Sequence, residues 1–225
     1  TIMLNVSVEA EHFRLDSDSR VLLHFPINHV AADVELGYAA VHAGATLVFM
    51  DHFHPDESLQ LIQSERITLL GQVPTMFFRQ MQSPVFETID WRSVKTFVWG
   101  GAGAPRYMVE KLVGIVRSTG AALVTGYGST ELCGFVTYTM PYDDIDHLSQ
   151  SIGKVVSPYE IIVVGPDRKP LPAGEIGELA FRGPVLMKGY LNAPAMTNEV
   201  IDDAGWYYTS DLGWMDAHGY LYLSG

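Results

Sequence analysis

Between residues 20 and 125 the chain alternates short apolar runs with longer segments whose apolar residues recur every three or four positions. The runs are Arg20–Phe25 (RVLLHF), Ala45–Met50 (ATLVFM), Ile67–Leu70, Thr96–Trp99 (TFVW) and Ala121–Thr125. They are too short for helices and rich in β-branched and aromatic residues, so they predict buried strands. The segments Ile2–Phe13, Ala31–Ala43, Pro55–Glu65, Pro74–Met81 and Pro105–Ser118 predict helices. Gly44 is a stop signal, and Pro55 followed by acids is a start signal. Strands that are apolar throughout and alternate with helices predict a mostly parallel sheet covered on both faces. Ligands on such sheets bind beyond the carboxyl ends of the strands.

After about residue 140 the pattern changes. Tyr159–Val164 (YEIIVV), Gly177–Arg182 (GELAFR) and Gly219–Leu223 (GYLYL) are short strand signals separated by turns such as Pro172-Ala173-Gly174 and Asp203-Ala204-Gly205. They predict a small β-rich lobe, an open or distorted barrel. The expected fold class is therefore α/β, a parallel sheet with helices on both faces followed by that lobe. Residues 1–140 would form the first sublobe and 141–225 the second.

Composition narrows the function. The 225 residues carry a formal charge of −12, which argues against a nucleic-acid-binding surface and against a polybasic membrane anchor. The single cysteine, Cys133, excludes an internal disulfide framework and a cysteine-based zinc site, and fits a reducing, cytoplasmic setting. No apolar run has the length of a transmembrane helix. Oligomeric state is not legible.

Two glycine-rich stretches end predicted strands. Gly126-Tyr127-Gly128-Ser129-Thr130-Glu131 follows the last strand of the sheet. Its glycines would admit a sharp turn and a close ligand, Tyr127 offers a flat face, Ser129 and Thr130 offer hydroxyls to a phosphate, and Glu131 is a hard ligand for magnesium. Taken alone, it is equally a turn that is glycine-rich for geometry. Gly100-Gly101-Ala102-Gly103-Ala104-Pro105 would let a flat group lie on the backbone, or is simply a tight strand-to-helix turn. It lacks the G-x-G-x-x-G spacing of dinucleotide sites. In Tyr208-Thr209-Ser210-Asp211, Asp211 could accept from both hydroxyls of a ribose, or be a turn aspartate. The cluster Asp143-Asp144-Asp146 reads as a solvated loop.

In this order the stretches resemble the adenylate-forming superfamily of acyl- and aryl-CoA synthetases, luciferases and peptide-synthetase adenylation domains. Tyr127 to Glu131 is similar to its Y-G-x-T-E motif. Gly177-Glu178-Leu179, Arg182-Gly183 and Gly189-Tyr190 are similar to G-E-L…R-G…G-Y. Tyr208 to Asp211 is similar to Y-x-T-G-D, with Ser210 in place of glycine, and Pro26 with His29 to P-x-x-H. The resemblance covers essentially the whole chain. It implies that Tyr127 stacks on adenine with Gly101, Ala102 and Gly103 opposite, near Thr125 and Gly128. It also implies that Thr130 binds the α-phosphate, Glu131 holds magnesium and Asp211 binds the ribose. His29, Trp99 and Gly126 would shape an acyl pocket.

The resemblance further implies an ATP-dependent, AMP-forming carboxylate–CoA ligase that takes a small carboxylic acid, ATP and coenzyme A. The family's phosphate loop would precede Thr1 and its lid domain would follow Gly225, so the chain is expected to be the middle piece of a longer enzyme, inactive alone. With no acidic anchor for an α-amino group evident in the pocket, a CoA ligase is preferred to an amino-acid adenylation domain. The other alternative is a non-catalytic nucleotide-binding or interaction module.

Overall fold

In the computed structural model, which describes residues 2–224, the first part of the chain forms a seven-stranded sheet in the order β2-β1-β3-β4-β5-β6-β7. These strands are β1 (Arg20–Leu23), β2 (Thr46–Phe49), β3 (Leu69–Gln72), β4 (Thr96–Trp99), β5 (Ala122–Ser129), β6 (Gly134–Tyr138) and β7 (Lys154–Val155). The first five run parallel, and β6 and β7 add antiparallel strands at one side.

Alternate residues of each strand enter two cores. Val21, Leu23, Leu69, Val98 and Val124 pack under Phe13, Ala32, Leu36 and Ala40. Leu22, Leu70, Phe97, Trp99 and Leu123 pack against Leu59, Ile62, Phe77, Met108 and Leu112. Burial on both faces is why the central strands read as nearly continuous apolar runs. The second core is supplied by α3 (Pro55–Ser64), α4 (Pro74–Met81) and α5 (Arg106–Thr119). The first is covered by α1 (Ile2–His12), a π-helical segment (Ala31–Tyr38) and α2 (Ala39–Ala43), which Gly44 ends at φ 72°. The wide π turn is accommodated at Gly37, where a Cβ would lie 2.6 Å from the Ala32 carbonyl oxygen.

The second part is a four-stranded antiparallel sheet of β8 (Glu160–Val164), β9 (Gly177–Arg182), β10 (Tyr207–Met215) and β11 (Leu221–Leu223). Its core of Tyr159, Val163, Leu179, Phe181 and Leu221 also takes in Leu132 and Val136, so the lobe is seated on the β5–β6 end of the large sheet. Among the described residues no helix is long and apolar enough to cross a membrane.

Three local expectations are corrected. The Gly126–Gly128 stretch does not turn but continues β5. The reason is tertiary: β6 pairs with it so closely that Cβ atoms at Gly126 and Gly128 would lie 2.2 Å and 1.9 Å from the Thr137 and Gly134 carbonyl oxygens. The acidic cluster is solvent-exposed at Asp144 and Asp146, as expected, but it is more than a loop: it leads into helix α6 (Ile145–Gln150). Asp144 caps it by accepting from the His147 amide at 2.8 Å, Asp146 pairs with Arg106, and Asp143 accepts from the Tyr220 hydroxyl at 2.5 Å. Helix α7 (Pro194–Val200) was not anticipated.

Candidate functional site

A cavity of about 520 Å³ lies at the carboxyl ends of β1, β3, β4 and β5. The chain leaving β1 contributes Phe25, Pro26, His29 and Val30. The ends of β3 and β4 contribute Gly71–Val73 and Val98–Gly101, and the end of β5 contributes Gly128–Glu131. Glu35 and Leu36 of the π-helical segment, with Phe13 and Phe135, complete the wall. The lining is mainly carbon; its polar side chains are Ser129, Thr130 and Glu131 at the end of β5, with His29, Glu35 and Gln72 contributed by other elements.

Glycines give Phe135 its place. A Cβ on Gly100 would lie 2.2 Å from Phe135 Cζ, and one on Gly126 would lie 2.9 Å from Phe135 Cδ2. Both positions therefore leave room for a protein ring that itself lines the cavity. Gly126 acts on the cavity at one remove. Trp99 is 1% exposed and pairs in register with Thr125, which brings the Gly100 turn alongside the Tyr127 segment. Thr125 is buried, its amide donating to Thr139 Oγ1 at 2.9 Å. Gly101 reaches the cavity, whereas Ala102 and Gly103 are exposed beyond its lining. His29 stands exposed at the mouth, its Nδ1 accepting from the Ala31 amide at 3.1 Å.

Thr130 is exposed and Glu131 half-buried at the β5 end of the cavity. The Tyr190 hydroxyl donates to Glu131 Oε1 at 2.9 Å, and the Glu131 carbonyl accepts from the Met187 amide at 2.8 Å. Burial works to raise the Glu131 carboxyl. Hydrogen bonds from its own amide, Tyr190, Ser129 and Tyr207 outweigh it and hold the group below its ordinary range, so it is ionised at neutral pH. A single ionised carboxylate is a ligand type that magnesium takes, since it binds through one or two carboxylates with phosphate oxygens completing its shell. Among the described residues no cluster of three metal-ligating side chains exists.

Asp211 is delivered by a bulge. Tyr208 pairs with Ala180 and Leu212 with Glu178, so β10 carries extra residues between these points, and Ser210 there sits at φ 65°. The exposed Asp211 accepts from the Tyr127 hydroxyl. One face of the Tyr127 ring is stacked on Phe181, with centroids 5.5 Å apart and planes at 16°. Burial, and then the Asp211 carboxylate, push the Tyr127 phenol up, so it stays a donor.

Sequence reasoning missed Glu35, Gln72, Phe135, Phe181 and Tyr190. Tyr190 was in view as part of a motif but without a role. Glu35 had a signal: an acid among small and apolar residues on a helix that follows the P-x-x-H stretch. Its presence corrects the expectation that the pocket holds no acid. Burial pushes its carboxyl up to about 8. Behind it lies Glu9, fully buried, which accepts from Asn5 Nδ2 at 3.0 Å and from the Phe135 amide at 3.3 Å.

Residues 2–191 match the AMP-binding enzyme family. The chain belongs to that family. Its curated relatives include a feruloyl-CoA synthase of an Amycolatopsis species, 33% identical over 98% of this chain and 43% of that protein. An indoleacetate–CoA ligase of Aromatoleum aromaticum is 33% identical over 94% of this chain and 40% of that one. The chain thus spans less than half the length of these AMP-binding enzymes. Among solved structures, ATP-bound MatB of Rhodopseudomonas palustris superposes with a TM-score of 0.87 at 29% identity, over all of this chain and 43% of that one. The N-terminal domain of FACL13 from Mycobacterium tuberculosis gives 0.87 at 30% identity, over 98% of this chain and 54% of that one. The family and the fold go with AMP-forming acyl- or aryl-CoA ligase activity in general; they do not single out an acid.

Proposed function

We propose that this chain is the central part of an ATP-dependent, AMP-forming carboxylate–CoA ligase. The observation that carries the reading is the layout of the cavity: an apolar chamber that ends at Thr130 and the ionised Glu131, with Tyr127 and Asp211 beside that end. In the proposed reaction the acid's carboxylate attacks the α-phosphate of ATP, releasing pyrophosphate and giving acyl-AMP. The thiol of coenzyme A then displaces AMP to give the thioester. Two anions must meet in the first step, so the site has to offset their repulsion. Magnesium held by Glu131 would supply positive charge there. Thr130 would donate to the α-phosphate, Asp211 would accept from the ribose hydroxyls, and the face of Tyr127 opposite Phe181 would seat the adenine. The chamber around Trp99, Phe25 and Phe135 would hold the acyl group and exclude water. ATP and coenzyme A as cosubstrates go with a cytoplasmic setting.

Amino-acid adenylation is a second reading, favoured by Glu35 in the wall. The ligase reading is preferred because Glu35 is raised toward neutrality rather than held as an anion, and because the relatives at 33% identity carry the names of enzymes that make CoA thioesters.

Thermal denaturation with AMP, NAD and acyl-adenylate analogues tests the reading. A ligand at a hundred times its dissociation constant stabilises by ~2.7 kcal/mol, a rise of about 5–11 °C for a chain of this size. Acyl-adenylates should give such a rise, and Tyr127→Ala and Asp211→Ala should abolish it. Absence of any response, in this chain and in the full-length gene product alike, would overturn the proposal.

A further inference from the structure

The turn that carries Thr130 and Glu131 runs from Ser129 at the end of β5 to Gly134 at the start of β6, and these two residues pair with each other. On its return leg Cys133 sits at φ 65° and Gly134 at φ 120°. The left-handed region is unfavourable for a residue with a side chain, so Cys133 stays there only where its surroundings hold it. The hold comes from α1, 128 residues earlier in the chain. Asn5 Nδ2 donates to the Cys133 carbonyl at 2.7 Å and to Glu9 Oε1 at 3.0 Å, and Glu9 Oε1 also accepts from the Phe135 amide at 3.3 Å. The two side chains thus grip the backbone on both sides of Gly134. A Cβ on Gly134 would lie 2.3 Å from Glu9 Oε1 and 2.7 Å from Asn5 Nδ2, so the pair occupies the space a side chain would need. On its other side Asn5 Oδ1 accepts from the hydroxyl of Tyr159, which leads into β8 of the small lobe.

Asn5 and Glu9 are both 0% exposed, and Val6 and Ala10 already bury α1 by packing. A polar pair beside them adds directed hydrogen bonds, which fix a backbone position that apolar contacts leave free. We propose that Asn5 and Glu9 are positioning residues that set the turn so that Thr130 and Glu131 meet the phosphates and magnesium of ATP, with Tyr159 tying that setting to the seat of the small lobe. The inference rests on the ligase reading. Neither Asn5 nor Glu9 is among the residues that line the cavity, so both act through the turn. Burial, and then Glu35, push the Glu9 carboxyl up. With Oε1 taken by two donors, its proton falls to Oε2, which has no other partner. A glutamine amide reproduces that arrangement of acceptor and donor.

The test is the dissociation constant of MgATP for the full-length gene product, measured by calorimetry in a double-mutant cycle with Glu131. Glu9→Met leaves the Phe135 amide and Asn5 without their acceptor and should weaken MgATP binding about 10-fold. In a Glu131→Gln background the same change should cost less than about 3-fold, because the main group it positions is already gone. Glu9→Gln should bind within about 2-fold of the unmodified protein. Tyr159→Phe removes one hydroxyl and little packing, so it decides the matter should Glu9→Met fail to fold. By loosening Asn5 from the far side it should weaken binding about 2- to 5-fold, again only while Glu131 is present. Equal losses with and without Glu131 would reduce the pair to a support of the fold and overturn the inference. Unchanged affinity in both Glu9→Met and Tyr159→Phe, or a loss in Glu9→Gln as large as in Glu9→Met, would overturn it too, and each of these results leaves the ligase reading intact. Failure of the unmodified protein to bind MgATP would sink the ligase reading, and the inference with it.

Discussion

Replacing Gly100 with alanine drives a methyl group into the Phe135 ring. The new Cβ would stand 2.2 Å from Cζ, 2.7 Å from Cε1 and 3.4 Å from Cε2. Phe135 is only 6% exposed and makes edge contacts with Phe13 and Tyr138, so the ring has little room to retreat. Overpacking of this kind costs about 1–3 kcal/mol, and the severity of the clash points to the upper end, ~3 kcal/mol. Phe135→Leu removes all three clashing atoms and by itself should cost roughly 1–1.5 kcal/mol, as a change of shape in a core site. If the ring is the main obstacle, the double variant should cost no more than about 1 kcal/mol above Phe135→Leu alone, which is a coupling of about 2 kcal/mol. Gly126→Ala is the control. Its Cβ would also meet Phe135, at 2.9 Å, but it would meet the Thr137 carbonyl oxygen at 2.2 Å, and Phe135→Leu leaves that oxygen where it is. Urea denaturation of the single and double variants measures both cycles. In thermal terms the Gly100→Ala rescue corresponds to about 4–8 °C for a chain of this size. Additive costs for Gly100→Ala with Phe135→Leu, or a full rescue of Gly126→Ala, would refute the assignment of these glycines.

Two further outcomes follow from the backbone and the buried acids. Ser210 at φ 65° occupies the left-handed region, so Ser210→Gly should raise stability by about 0.5 kcal/mol, or 1–2 °C in a thermal melt, and a lower melting point would contradict that account of the bulge. Glu35 has a folded-state pKa raised to about 8, above its ordinary value, so it binds more protons folded than unfolded between these limits. Its contribution is fully present below about pH 4.5 and is lost as pH rises to about 8, with a steepest slope near 1.4 kcal/mol per pH unit. Glu9, raised by burial and by Glu35, adds to the same trend. Glu35→Gln should therefore flatten the stability profile between pH 5 and 8, as followed by urea midpoints, and an unchanged profile would count against the buried acid pair.

Local pattern was enough for the strands and helices of the large sheet. The central strands β3, β4 and the start of β5 are buried on both sides and so read as apolar runs, and Gly44 and Pro55 mark ends by chemistry that acts within a few residues. The candidate residues at the end of β5 were legible for a similar reason: Thr130, Glu131 and Asp211 stand in stretches whose residue types are unusual together. Contacts between distant parts of the chain were not legible. Gly126 and Gly128 extend a strand instead of turning because β6 lies against them, and the lone sequence 134–138 carries no mark of that pairing. Asp143, Asp144 and Asp146 look like a solvated run until Tyr220, the His147 amide and Arg106 are brought to them. Glu35 is an ordinary helical acid in the sequence. Its carboxyl is pushed up only because α1 and β6 pack on the π-helical segment, and desolvation is a property of the surroundings, not of the residue.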